Sequence, residues 1–305
     1  MKARDLTDLL LLAAIWGASF LFMRVAVPAF GPVALAFVRV AGAALVLLPL
    51  LLLRGEGLVL RQRWCALLLL GLSNSALPFL CFGYALYTLP AGLAAIFNAA
   101  TPLFTALIGW LWLGDHLNRW RSLGLALGFA GVAGLALYKS LSSGSLSTLQ
   151  FNLPTLLAIG ACLLGTLLYG HAGNHAKRYL AGVPAMAMAA GTQLAAALVL
   201  ALPAMLSWPA HNPGLRDWLA AAGLAVLASG LAYILYFRLI TRVGPTGAAS
   251  VTFLVPVFAA AWGALLLDEQ VTLPMLLGGA LILGGTALVL GLLPRQPTAS
   301  ASGSA

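Results

Sequence analysis

The residues of this chain that could do chemistry are few, and most sit inside long apolar runs, the setting of a membrane span. No carboxylate has that setting: Asp5, Asp8, Glu56, Asp115, Asp217, Asp268 and Glu269 all fall at the terminus or at the ends of apolar runs. A carrier that exchanges protons through a buried acid needs one near the middle of a span, so carboxylate-driven antiport is not expected. Nucleophilic catalysis has no motif either. Gly17-Ala18-Ser19-Phe20 continues with Leu21 instead of completing GxSxG, and HExxH does not occur. His171 and His175 share one helix face, but a zinc ion takes about four ligands and neither an acid nor a cysteine joins them locally. They read as basic residues at a span end. Cys65, Cys81 and Cys162 lie in apolar segments without a CxxC and read as small core residues. No catalytic group, cofactor or metal is expected.

What remains is a set of groups suited to binding. Arg39 lies inside the second apolar run. Either it draws an anionic group such as a carboxylate, or it spends its donors on backbone carbonyls at a packing interface. The second reading is preferred, because no acid is evident to pair it at that depth. Prolines add to the set, since a proline in a helix interior leaves the carbonyl four residues earlier without its partner. Pro102 would free the carbonyl of Asn98, Pro256 that of Thr252, and Pro78 that of Asn74. These prolines either build a polar site or merely kink helices whose side chains re-satisfy the backbone. Trp16 and Tyr169 fall near the middle of their runs, away from the interfaces where aromatic belts form. They either wall a cavity and stack on a ligand or fill the core. The candidate substrate-binding residues are therefore Trp16, Arg39, Asn74, Asn98, Pro102, Tyr169, Thr252 and Pro256. Arg24, at the end of its run, reads as a snorkelling anchor.

Composition says what must position them. Of 305 residues, 62% are apolar and 8% charged, with a mean hydropathy of +1.02. A soluble domain carries about 25% charged residues, so there is too little charge here to cover a water-facing surface. That excludes a soluble enzyme and a nucleic-acid binder, and the net charge of +9 must be read as a topology signal. A span needs about 20 mostly apolar residues. Ten runs qualify: Leu6–Val27, Pro32–Leu53, Trp64–Tyr87, Gly92–Leu113, Trp120–Tyr138, Pro154–Ala172, Val183–Leu206, Arg216–Ile240, Thr246–Leu267 and Leu273–Leu293. Breakers at Pro28–Gly31–Pro32, Leu89–Pro90–Ala91–Gly92, Gly114–Asp115 and Gly244–Pro245 separate them. The sixth helix is expected to run on to about Arg178. The first run is too long for a signal-peptide core and reads as an uncleaved span. Ten spans put both termini on one side. Loops on that side hold 12 of the 16 Lys and Arg residues, and the opposite side holds 2, Lys139 and Arg216. By the positive-inside rule both termini are cytoplasmic.

The chain also repeats itself. At a shift of 154 residues Pro102 meets Pro256, Asp115 meets Glu269, Gly124 meets Gly278 and Gly131 meets Gly285, while Trp16–Gly17 sits opposite Tyr169–Gly170 at 153. Each unit has an odd number of spans, so the second must enter the membrane from the opposite side. That is an inverted-topology repeat, a common architecture of secondary transporters. The fifth and tenth spans carry glycine stripes and few polar groups beyond Ser122 and Thr286, and read as closely packed peripheral scaffold. The third, fourth, eighth and ninth carry Ser73, Asn74, Ser75, Asn98, Thr101, Thr105, Ser229, Tyr233, Ser250 and Thr252 and, with the first and sixth, should line a path.

The order Trp16-Gly17-Ala18-Ser19-Phe20, Arg39, Asn98-x-x-x-Pro102-x-Phe104, Gly114–Asp115 and Gly124/Gly128/Gly131 resembles the EamA-type repeat. Val255-Pro256-Val257-Phe258, Asp268–Glu269 and Gly278/Gly285 repeat it in the second half. The likeness is to the ten-span branch of the drug/metabolite transporter superfamily and covers about residues 6–293. One departure is Asp115, where that family usually has Glu. The expected fold class is thus an all-α polytopic membrane protein of ten transmembrane helices in two inverted five-helix repeats. The first repeat spans 1–138, an outer linker 139–152, the second repeat 153–293 and a disordered tail 294–305. The resemblance implies a plasma-membrane (bacterial inner-membrane) carrier that exports small metabolites, amino acids first, by alternating access. Export of organic cations is the alternative, though no midplane acid awaits them. A passive facilitator would share the architecture. A membrane enzyme lacks its paired nucleophile and base. Expected partners are a small-molecule substrate and the lipid bilayer, with no nucleic acid and a monomeric unit.

Overall fold

A backbone in lipid finds no water to bond, so each apolar run must satisfy its own amides, and a helix does so. The computed structural model describes residues 3–142 and 152–292, and among these there is helix and no strand. Most of the expected linker and the tail lie outside them. Helix α1 (Ala3–Leu53) has 51 residues, more than twice what a bilayer requires. Gly31 breaks it with φ 73° and ψ 161°, a region essentially reserved for glycine. The break leaves α1a (residues 3–30) and α1b (32–53). After a short α2 (Leu58–Gln62) come α3 (Trp64–Gly71), a π-helical turn π1 (Leu72–Ala76) and α4 (Leu77–Ala85). Then follow α5 (Ala91–Asn98), α6 (Thr101–Leu113), α7 (Arg119–Ser142), α8 (Leu153–Tyr179) and α9 (Ala185–Leu206). The last elements among the described residues are α10 (Leu215–Ala222), π2 (Gly223–Leu231), α11 (Ala232–Ala249), α12 (Val251–Leu267) and α13 (Leu273–Leu290). Among the described residues eight helical stretches, the undivided α1 among them, are long and apolar enough to cross a membrane, and α12 is a shorter apolar helix.

Two boundaries depart from the sequence expectation. The fourth run is two helices parted at Ala99–Ala100, so Pro102 stands in the first turn of α6, where a missing N–H leaves nothing unpaired. The break expected at Gly244–Pro245 does not occur: α11 continues to Ala249 and the next begins after Ser250. A proline removes one rung of the helix ladder, which a membrane helix tolerates where neighbouring groups re-satisfy the freed carbonyl. The sixth helix reaches Tyr179, one residue beyond the Arg178 estimate.

Packing follows the repeat. A Cβ built on Gly17 of α1a would lie 2.6 Å from Phe258 Cβ and 2.9 Å from Ala259 N of α12. One built on Gly170 of α8 would lie 2.8 Å from both Phe104 C and Thr105 N of α6. Phe258 and Phe104 are 154 residues apart, so the two crossings are mates. The Gly42–Ala225 contact, 2.7 Å from a built Cβ, is likewise matched by Gly71–Ala195 at 2.7 Å. On α7 and α13 the glycine stripes face each other, Gly124 against Gly285 and Gly131 against Gly278. Only hydrogen at these positions lets the backbones come so close. The pseudo-twofold therefore passes between α7 and α13, the pair read from sequence as scaffold.

Candidate functional site

The third and eighth spans each lose regular α geometry at the same place in the repeat. Residues 72–76 of π1, shifted by 154, become 226–230 inside π2. Such π turns interrupt the helical ladder and recur at functional sites. Ser75 on π1 and Ser229 on π2 are both buried and both accept a hydrogen bond from the neighbouring span. Arg39 Nε donates to Ser229 Oγ at 2.9 Å, and Gln193 Nε2 donates to Ser75 Oγ at 3.3 Å. Arg39 and Gln193 are themselves 154 residues apart, so these are one contact made twice.

The aromatic surroundings repeat in the same way. The Arg39 guanidinium carbon lies 3.7 Å from the Phe79 ring centroid. Tyr233, the mate of Phe79, is a hydrogen-bonding neighbour of Gln193 and accepts from Asn74 Nδ2 at 3.4 Å. Trp16 lies 5.3 Å, centroid to centroid, from Tyr236, and its mate Tyr169 stacks 6.0 Å from Phe82, the mate of Tyr236. Trp16 Nε1 donates to the carbonyl of Ala228 on π2 at 3.2 Å. The hydroxyls of Tyr169 and Tyr233 are both within electrostatic reach of Arg39.

The two halves match in shape and differ in charge. Arg39 is 7% exposed, and no carboxylate pairs with it among the described residues. The expectation that backbone carbonyls would take its donors is corrected. Its bonds go to Ser229 Oγ and, at 3.6 Å, to Met23 Sδ, while Phe79 covers its face. A guanidinium carries more donors than these contacts use. Beside it lies a void of about 10 Å³, lined among others by Met23, Leu35, Phe79 and Leu224. On the other half, Gln193 is fully buried and its Oε1 has no hydrogen-bond partner.

Of the residues proposed from sequence, Trp16, Arg39, Asn74 and Tyr169 belong to this cluster. Asn98 and Pro102 belong instead to the α5–α6 break. The Asn98 carbonyl is not left free by Pro102: Thr101 Oγ1 donates to it at 2.7 Å. The buried Asn98 Oδ1 is the atom there without a partner. Thr252 is half-buried and Pro256 buried, both on α12. Sequence reasoning missed Gln193, Phe79, Phe82 and Tyr236, although the 154-residue shift that aligned the glycines also aligns Arg39 with Gln193. Thr286, which the sequence marks only as a rare polar residue of the scaffold spans, is buried and donates to the Ala99 carbonyl at the break, at 3.2 Å.

The two ends of the bundle are held differently. At the end carrying Gly31, the far end, both Glu269 oxygens accept from the Ala91 amide, at 3.0 and 2.9 Å, capping α5. Arg24 is no free anchor: Nη1 donates to the Leu86 carbonyl and Nε lies 3.8 Å from Glu269 Oε1. A vestibule of about 400 Å³ opens there, lined among others by Arg24, Arg216, Asp217 and Glu269. At the near end, Asp8 binds Arg238 at 2.6 Å and Arg242 at 3.2 Å, and Asp115 binds Lys177 at 2.8 Å. His171 stacks 5.3 Å from Trp112, and His175 Nε2 is 3.0 Å from the Ala66 carbonyl. No cluster of three or more metal-binding side chains occurs among the described residues.

Comparison with known proteins agrees with this architecture. The profile of the EamA-like transporter family matches twice, over residues 8–137 and 156–291. The chain is 29% identical over 293 residues to the "Uncharacterized inner membrane transporter YedA" of Escherichia coli K12, covering 93% of this chain and 90% of that protein. It is 29% identical over 301 residues to the "Probable amino-acid metabolite efflux pump" of the same strain, covering 93% and 94%. A solved crystal structure shares the fold at 22% identity with a TM-score of 0.64, over 96% of this chain and 98% of that one. This multi-pass membrane protein therefore belongs to the EamA-like transporter family and is a transporter rather than an enzyme.

Proposed function

We propose that this chain is a secondary carrier that exports small metabolites, amino acids first, across a bacterial inner membrane by alternating access. Both termini are cytoplasmic, so the near end faces the cytoplasm. The observation that carries the reading is the central cluster: two repeat-related pairs of buried polar contacts, Arg39–Ser229 and Gln193–Ser75, set where both repeats bring π turns to mid-membrane. A polar site on the pseudo-twofold of an inverted repeat suits a substrate reached from either side in turn. The efflux-pump name of one relative supports the amino-acid class.

Two ends built from matching residues give the motion its physical basis. The far end holds the tighter contact, with Glu269 only 13% exposed on the α5 terminus beside the vestibule, whereas Asp115 is 41% exposed. Rocking of the repeats exchanges these roles. No carboxylate lies among the central groups, so flux follows the substrate gradient without proton exchange at the site. Counterflow in proteoliposomes tests this. Labelled amino acid should accumulate against unlabelled amino acid inside, and should do so with an uncoupler present. Absence of trans-stimulation would indicate a passive facilitator, and loss of flux on uncoupling would indicate proton drive.

A further inference from the structure

We infer that Arg39 and Gln193 form the two poles of a zwitterion site, with a substrate carboxylate held by Arg39 and its ammonium directed at Gln193. The inference rests on the central cluster being the transport site. A twofold cluster built from identical groups could not orient a ligand along the transport path. This one is chemically asymmetric at one matched position: the first repeat supplies a cation, the second an amide.

Each pole has unspent capacity of the right sign. Arg39 is buried, pairs with no carboxylate among the described residues, and commits one nitrogen to Ser229 Oγ and another to a thioether, a weak acceptor. An uncompensated guanidinium in a low-dielectric interior is costly, and a bidentate carboxylate removes that cost. Gln193 Oε1 is a buried acceptor without a hydrogen-bond partner among the described residues. Arg39 lies in the outer part of α1b, seven residues past its start, and Gln193 in the inner part of α9, eight past its start. The carboxylate therefore leads toward the far end. Phe79, Met23 and Leu224 around Arg39, with the Trp16–Tyr236 and Tyr169–Phe82 pairs, offer apolar and aromatic walls. The void beside Arg39, about 10 Å³, is no larger than a water site. A carboxylate therefore enters only as the surrounding helices part, which ties binding to the conformational change.

The test uses three labelled or competing probes with the unaltered protein in liposomes: L-phenylalanine, 3-phenylpropionate (no amine) and 2-phenylethylamine (no carboxylate). Phenylalanine should exchange, 3-phenylpropionate should compete, and 2-phenylethylamine should be weaker than 3-phenylpropionate by about ten- to a hundredfold, the worth of hydrogen bonds to a charged group. Arg39→Gln should erase the difference between the two analogues, and Arg39→Lys should keep its sign at reduced size. Gln193→Leu should bring phenylalanine down to the level of 3-phenylpropionate. The amine competing as well as the acid, in the unaltered protein, overturns the assignment while leaving transport standing, and needs no variant to fold. Exchange of none of the three removes the transport reading of the cluster and this assignment with it.

Discussion

The near and far ends of the bundle are built from repeat-related residues and are held differently. In each repeat a glycine is followed six residues later by an acid whose amide bonds back to it: Asp115 N to Gly109 O and Glu269 N to Gly263 O, both at 3.1 Å. In each, the preceding residue takes a left-handed turn, Gly114 at φ 71° and Asp268 at φ 54°. Up to that point the two ends are copies. Beyond it, Glu269 reaches across to the other repeat and caps α5, where Gly92 packs so close that a Cβ would lie 2.9 Å from Ala260 Cα. Asp115 instead meets the flexible, 59%-exposed Lys177. Identical local sequence logic thus yields a buried latch at one end and a solvated ion pair at the other. The acids differ in reach, Glu269 being one methylene longer than Asp115, and so do the elements set against them.

Removing the latch should give the largest effect. Glu269→Gln keeps the shape and loses the charge that faces the α5 amide and Arg24. Hydrogen bonds to a charged group contribute about 1.5–3 kcal/mol. Hydrogen exchange over residues 89–95 should therefore quicken by about ten- to a hundredfold, and exchange at the matching near-end segment should not. Unchanged protection at 89–95 would mean that apolar packing alone holds the α5 terminus.

The helix crossings come next. Gly17→Ala and Gly170→Ala each push a methyl group against the backbone of the mate helix, and overpacking of this kind costs about 1–3 kcal/mol. Thermal unfolding in detergent should show similar losses for the two. A large loss in one and none in the other would break the twofold equivalence at mid-membrane, where the two halves are expected to be alike.

How much of this could be read from sequence depends on the kind of interaction. The membrane-spanning character, the repeat and the α7–α13 glycine stripes were legible because they rest on composition and period, which lipid enforces locally. Trp16, Arg39, Asn74 and Tyr169 were legible because a polar or mid-span aromatic residue in an apolar run needs a reason. The Asn98 carbonyl was misjudged because the proline argument assumed an unbroken helix, and Thr101 lies close enough to re-satisfy the break. Gln193 was overlooked because the one proline of α9, Pro203, lies ten residues away and no mid-span aromatic stands beside it. Its meaning appears only beside Arg39, across the twofold. Arg24 and Glu269 looked like independent end charges, since no local pattern says which helix end a carboxylate will cap.

Thr286 offers a smaller probe of the same asymmetry. It is buried on α13 and bonds the Ala99 carbonyl, yet its position in the first repeat is Val132 on α7. Thr286→Val keeps the shape and deletes one neutral hydrogen bond, a loss of about 0.5–1.5 kcal/mol. The loss should appear as faster exchange at residues 99–104, with the far-end segment 89–95 unaffected.

The near-end ion pair should matter least for stability. Lys177 and Asp115 are 59% and 41% exposed, so water and salt screen their attraction, and exposed pairs contribute about 0–1 kcal/mol. Asp115→Asn should leave the unfolding temperature within about 2 °C of the parent for a domain of this size. Its effect belongs to transport instead. If Asp115 takes over the capping role when the near end closes, the variant should slow counterflow while leaving exchange at residues 89–95 unchanged. Glu269→Gln should show the reverse pattern in exchange. Equal behaviour of the two variants in both measurements would mean that the ends do not trade roles, and that the acid after each repeat's fourth span serves only to terminate its helix.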